Sequence, residues 1–191
     1  MTEAELRTET LACGLDHLST TRVDQFILFA ARKLYYSHLW PFRLTTQTGV
    51  APLTVTTRGP IKSVFDSNGY EIDPADQDEL GREVDLTTSS GDATAWYLTD
   101  AGAVQTYPAS TPSITVRHYA SVPATTALIL ADIPSEFHYS VIFDAVRRGK
   151  LDNGELEVAA SYKADYDESL NEMRRVLFND QVQGPKRRNN V

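Results

Sequence analysis

One cysteine, Cys13, stands in 191 residues. That excludes an internal disulfide and any zinc site built on paired thiolates. No apolar run approaches the roughly 20 residues that span a bilayer, so no membrane partner is expected. The opening, Met1–Thr10, is Glu-rich and lacks the apolar centre of a secretory signal, so export is not expected either. Cations are scarce: 18 Lys and Arg face 26 Asp and Glu, a formal net charge of −8. A protein that grips nucleic acid over a broad surface needs the opposite balance. Catalytic patterns are missing as well: there is no Gly-rich phosphate loop, no Gly-x-Ser-x-Gly elbow and no His-Glu-x-x-His helix. No cofactor, no metal and no enzyme activity are expected.

What is present suits a folded core, with 41% apolar and 23% charged residues. The composition divides the chain. Six of the eight excess negative charges fall in residues 43–133, which also hold 15 threonines, 6 prolines and 6 glycines. β-Branched residues punctuated by turn formers favour short strands. Six are expected: Leu53–Thr56, Ile61–Phe65, Gly69–Ile72, Ala95–Leu98, Val104–Tyr107 and Ile114–Tyr119. Asp66-Ser67-Asn68-Gly69 reads as a hairpin turn. Such runs predict an antiparallel sheet or a small sandwich.

The flanks read as helix. Leu11, Leu15 and Leu18 recur at helical spacing, and Val23, Phe26, Ile27, Ala30, Ala31 and Leu34 form a second apolar face. Thr21 with Asp24 fits a capping box, and Pro41 stops the helix by about residue 39. A further helix opens at Pro134, carries Phe137, Val141, Ile142, Ala145 and Val146, and ends near Gly149, with Arg147, Arg148 and Lys150 complementing its dipole. The longest helix, 155–178, presents Ala159, Tyr162, Tyr166, Leu170, Met173 and Leu177. The expected class is α+β: a helical bundle from the N-terminal (1–42) and C-terminal (134–179) segments, a large β insertion (43–133) and a polar tail (180–191).

Candidate chemistry is thin. His17, His38, His118 and His138 share no short ligand spacing; His118 and His138 alone could meet in space, which keeps a metal or acid–base reading open. Asp73, Asp76 and Asp78 lack the glycine and terminal glutamate of a calcium loop. Asp165, Asp167 and Glu168 beside Lys163 read as a solvent-facing helical stripe, and Cys13 as a small apolar side chain. Trp96, Tyr97 and Tyr107 would make a recognition platform for carbohydrate or protein if they shared one exposed face. Trp40-Pro41-Phe42 reads as a plug between the helical and β parts. Lys186-Arg187-Arg188 is the one dense cationic cluster, either a solubilising tail or an arm for an acidic partner.

The order of these features resembles the head-to-tail adaptor (connector, or head-completion) proteins of tailed bacteriophages. The resemblance runs over about residues 10–180: a helical opening ending in Trp40-Pro41-Phe42, strands at Ala95-Trp96-Tyr97, Val104–Pro108 and Ile114–Tyr119, then Ile133-Pro134-Ser135-Glu136-Phe137-His138 opening a helix, and the Tyr162–Tyr166 helix. It implies a structural protein of the virion neck, made in the host cytoplasm. Twelve copies would form a ring beneath the portal, contact tail or stopper and terminator proteins, and let DNA pass without sequence-specific binding. It implies that Lys186, Arg187 and Arg188 dock on the portal. An insertion of this size is a departure from the family's pattern.

Overall fold

A computed structural model of the chain describes residues 1–55, 59–76, 80, 92–108 and 113–179. The described residues separate into two compact units, one from 1–43 with 122–179 and one from 44–121.

The helical unit begins with α1 (Glu3–Ala12), where Thr2 and Glu5 form a reciprocal capping box: Glu5 N donates to Thr2 Oγ1 at 3.2 Å and Thr2 N to Glu5 Oε2 at 2.7 Å. Leu15, expected to continue this helix, packs into the core from the turn that follows. Helix α2 (Thr20–Ser37) buries all six residues of its anticipated face. Its cap is Ser19 rather than Thr21, with Arg22 N donating to Ser19 Oγ. Asp24 is instead held bidentately by Arg7 at 2.6 and 2.8 Å. After the 3-10 turn Pro41–Arg43 the chain leaves this unit. It returns at α3 (Thr126–Asp132), packed on α2. The sequence reading grouped that segment with the β-rich insertion; its continuous Ala-Leu-Ile-Leu run is too short to show a helical period. Helix α4 (His138–Asp152) follows the 3-10 turn Ser135–Phe137 and runs past Gly149. Helix α5 (Leu156–Asn179) is the longest. Helix α4 packs on both α2 and α5, and one core holds Leu6, Val23, Ile27, Leu34, Val141, Ala145, Val146, Tyr166 and Met173. Each large apolar side chain fully buried there contributes about 1.5–3 kcal/mol.

The β unit is a seven-stranded sheet in the order β1-β7-β3-β4-β5-β6-β2. The strands are β1 (Leu44–Gly49), β2 (Leu53–Thr54), β3 (Ile61–Phe65), β4 (Glu71–Pro74), β5 (Ala95–Leu98), β6 (Ala103–Tyr107) and β7 (Ile114–Tyr119). Two features differ from expectation. Strand β1, Leu-Thr-Thr-Gln-Thr-Gly, lacks apolar alternation and is specified by its full pairing with β7. The sheet is mixed rather than wholly antiparallel, because β4 and β5 pair in parallel. The connection 75–94 is long enough to bring the chain back to the same end, which a hairpin cannot do. The two edge strands are consecutive in sequence, and Gln47 Nε2 donates to the Thr54 carbonyl at 2.9 Å, so the sheet curls until its edges meet through a side chain. The core holds Val64, Ile72, Val104, Ile114 and Val116.

The β3–β4 turn follows its sequence signal. Asp66 Oδ1 accepts from Asn68 N and Tyr70 N, both at 2.9 Å, and Gly69 takes φ +81°. Gly59 has a different reason: a Cβ there would fall 1.6 Å from the Tyr119 carbonyl oxygen. Gly59→Ala should force β3 and β7 apart and cost at least about 1–3 kcal/mol, seen as faster amide exchange along both strands. Unchanged exchange would show that the backbone shifts without penalty.

Candidate functional site

The chemistry-bearing side chains of the helical unit gather on a carboxylate. Asp144 lies on the apolar side of α4, between Val141 and Ala145, and its side chain is fully buried. Lys33 Nζ of α2 donates to Oδ1 at 2.7 Å, Arg147 Nε to Oδ1 at 2.8 Å and Arg148 Nε to Oδ2 at 2.8 Å. Burial alone would push Asp144 up; hydrogen bonds from Lys33 and Arg148, with the charge of Lys33 and the bond from Arg147, outweigh it and hold the carboxyl below its usual range. One negative charge thus anchors three cations, whose outer surfaces remain partly exposed. Lys33 also sits over the Tyr166 ring at 4.1 Å and Arg148 over Phe29 at 5.9 Å. Burial, with the Asp144 charge second, raises the Tyr166 hydroxyl to about 12.

Sequence reasoning assigned Arg147 and Arg148 to the helix dipole and passed over Asp144. The signal was present: an acid next to the apolar residues Val141 and Ala145, with arginines at i+3 and i+4. Lys150, read the same way, instead donates to the Gly14 carbonyl at 3.1 Å and to Glu155 at 3.0 Å, tying α4 to the α1–α2 turn.

Trp40, Pro41 and Phe42 lie between α2 and β1 in the chain, and both rings belong to the helical core. Trp40 is fully buried, donates Nε1–H to the Leu34 carbonyl at 2.7 Å, and lies 6.0 Å from Phe42 and 5.7 Å from Phe178. Arg43 donates to the Tyr35 and His38 carbonyls, and the Tyr35 hydroxyl donates to Asp132. Lys186, Arg187 and Arg188 lie outside the described residues, as does Asp78, whereas Asp73 belongs to β4.

The histidines are held separately. His138 is buried, with Nδ1 taking a hydrogen bond from the Met1 ammonium at 2.9 Å and Nε2–H donating to the Leu130 and Ile133 carbonyls. His118 is buried in the β unit, and burial lowers its pKa. His17 meets Asn153, and His38 meets Ser37. Among the described residues no three His, Cys, Asp or Glu side chains are grouped to hold a metal. Cys13 is half-buried against the helical core.

The three aromatics of the β unit do not make a platform. Trp96 and Tyr97 alternate along β5, and Tyr107 pairs with Ala95, so Tyr107 shares the face of Tyr97 and opposes that of Trp96. Tyr97 is buried, while Trp96 packs on the β core and lines an open pocket of about 490 Å³ with Thr54, Ile61, Leu98 and Asp100.

The helical unit thus has a built ion cluster and a clamped exit from α2. A family model described as SU10 adaptor protein matches residues 1–189. The chain belongs to the SU10 adaptor protein family. No curated protein matches it. As an SU10 adaptor it is a phage adaptor, a component of the virion neck that interacts with other phage head and tail proteins. No helix among the described residues is long and apolar enough to cross a membrane.

Proposed function

We propose that this SU10 adaptor assembles as a ring of twelve copies beneath the portal, joins the capsid to the tail and lets DNA pass. The observation that carries the reading is the family match over residues 1–189. The charge supports it. A conduit must not hold the duplex, since each phosphate contact adds affinity that slows passage, and a chain of net charge −8 disfavours such contacts. Tail, stopper or terminator proteins would take its other end. Trp40-Pro41-Phe42 would fix the junction between the helical part and the β insertion, and Lys186-Arg187-Arg188 would dock on acidic groups of the portal.

Electron microscopy of the chain mixed with its portal tests the reading. A twelve-fold ring on the portal is expected, and a monomer that never associates overturns it. Deleting 183–191 should weaken portal pull-down about tenfold, since three cationic contacts on a partner's surface are together worth roughly 1.4 kcal/mol, while circular dichroism stays unchanged. Equal capture by the deleted chain would remove the docking role from the tail.

A further inference from the structure

The helical unit carries two charged faces that its own contacts leave unmatched. The first lies on α2 and α4. Asp144 cancels one of the three cations around it, leaving a surplus of two charges on Lys33, Arg147 and Arg148. These groups are held in place by the buried carboxylate, so a partner need not immobilise them. Beside them along α2 stand Phe29, 50% exposed, and Tyr36, 68% exposed. Fixed cations next to open aromatic rings are the composition of an interface centre.

The second face lies on α5. Glu157, Asp165, Glu168 and Glu172 are exposed and fall within roughly a quarter of the helix circumference at 3.6 residues per turn, and with the exposed Arg175 on the same quarter they leave an acidic surplus of three charges. They lie opposite the buried line of Ala159, Tyr166 and Met173. Asp167 is paired with Lys163, but none of these four carries an ion pair among the described residues. Asp165–Glu168 at i+3 and Glu168–Glu172 at i+4 repel, which costs the isolated helix stability. A cationic neighbour relieves that cost.

We infer that the Phe29, Lys33, Tyr36, Arg147, Arg148 surface of one copy receives the acidic face of α5 from a second copy. The inference rests on the ring reading above and supplies what a closing ring requires, two different complementary patches on each subunit. The occupant is a second copy because the chain itself carries both halves of the charge match.

Cross-linking tests it. In a Cys13→Ser background, one chain carries Tyr36→Cys and another Glu168→Cys, both at exposed sites, and a short bis-maleimide is added to each chain alone and to the mixture. A cross-linked dimer is expected in the mixture at least tenfold above either chain alone, and it should fall several-fold in 1 M salt, where the screening length is about 3 Å. Equal dimer from the Tyr36→Cys chain alone means a self-complementary contact and overturns the inference. Oligomers by native mass spectrometry without the mixed product also overturn it, yet leave the ring reading standing. Loss of the mixed product when short duplex DNA is added reassigns the cationic face to phosphate and overturns it. No oligomer with or without the portal sinks both readings.

Discussion

Asp144→Ala should lower the unfolding free energy of the helical unit by about 3–5 kcal/mol, the cost of removing one partner from a buried ionic cluster. The magnitude follows from the asymmetry of the site. One fully buried carboxylate satisfies Lys33, Arg147 and Arg148, so its loss leaves three cations crowded without their anion. Asp144→Asn, which keeps the shape and loses the charge, should recover little. Urea unfolding followed by the helical circular dichroism signal measures both; a loss below 1 kcal/mol for the alanine variant would mean that the cations rearrange into solvent freely. The same site sets an acid limit. Asp144 titrates lower in the folded chain than the roughly 3.9 of an unfolded aspartate. Its contribution is therefore complete above about pH 4 and is lost as the pH falls through the folded value. The wild type should lose stability steeply there, and Asp144→Asn should show a flatter profile.

Trp40→Ala is expected to cost about 3–5 kcal/mol, in the range of large aromatic deletions. Trp40 fills space among Phe42, His38 and Phe178, and its indole N–H satisfies the Leu34 carbonyl. Trp40→Phe separates the two contributions. It keeps an aromatic ring in the stack and loses the hydrogen bond, but Ser37 Oγ still donates to the same carbonyl at 2.7 Å. The phenylalanine variant should therefore lose only about 1 kcal/mol. If it loses as much as alanine, the hydrogen bond and not the packing holds the end of α2.

The sequence made some of this legible and hid the rest for identifiable reasons. Helices α2, α4 and α5 were readable because each sustains an apolar face over several turns, and the faces anticipated from Val23 to Leu34 and from Ala159 to Leu177 are the ones in the core. Helix α3 and strand β1 were not, since one has only seven residues and the other gains its identity from β7. The parallel β4–β5 pair was invisible because the local pattern of a strand does not encode the direction of its neighbour. The hairpin at Asn68-Gly69 was readable because its conformation is decided within four residues. Around Asp144 the local half was readable, since Arg147 and Arg148 follow at i+3 and i+4, but Lys33 comes from another helix far away in sequence and could not be read.

That separation has a consequence for how the chain is made and how it can change. From the standpoint of α2 and α4, residues 44–121 are one long loop between Arg43 and Val122. The entropy of closing a loop grows with the logarithm of its length, so doubling such an insert costs only about 0.6 kcal/mol. In closure entropy alone, the helices are nearly indifferent to the length of what is spliced between them, so enlarging the β segment over evolutionary time costs them little. During synthesis the same arrangement imposes a wait. Lys33 emerges 111 residues before the carboxylate that will hold it, and the part of α2 that packs on α4 has no cover until α4 follows.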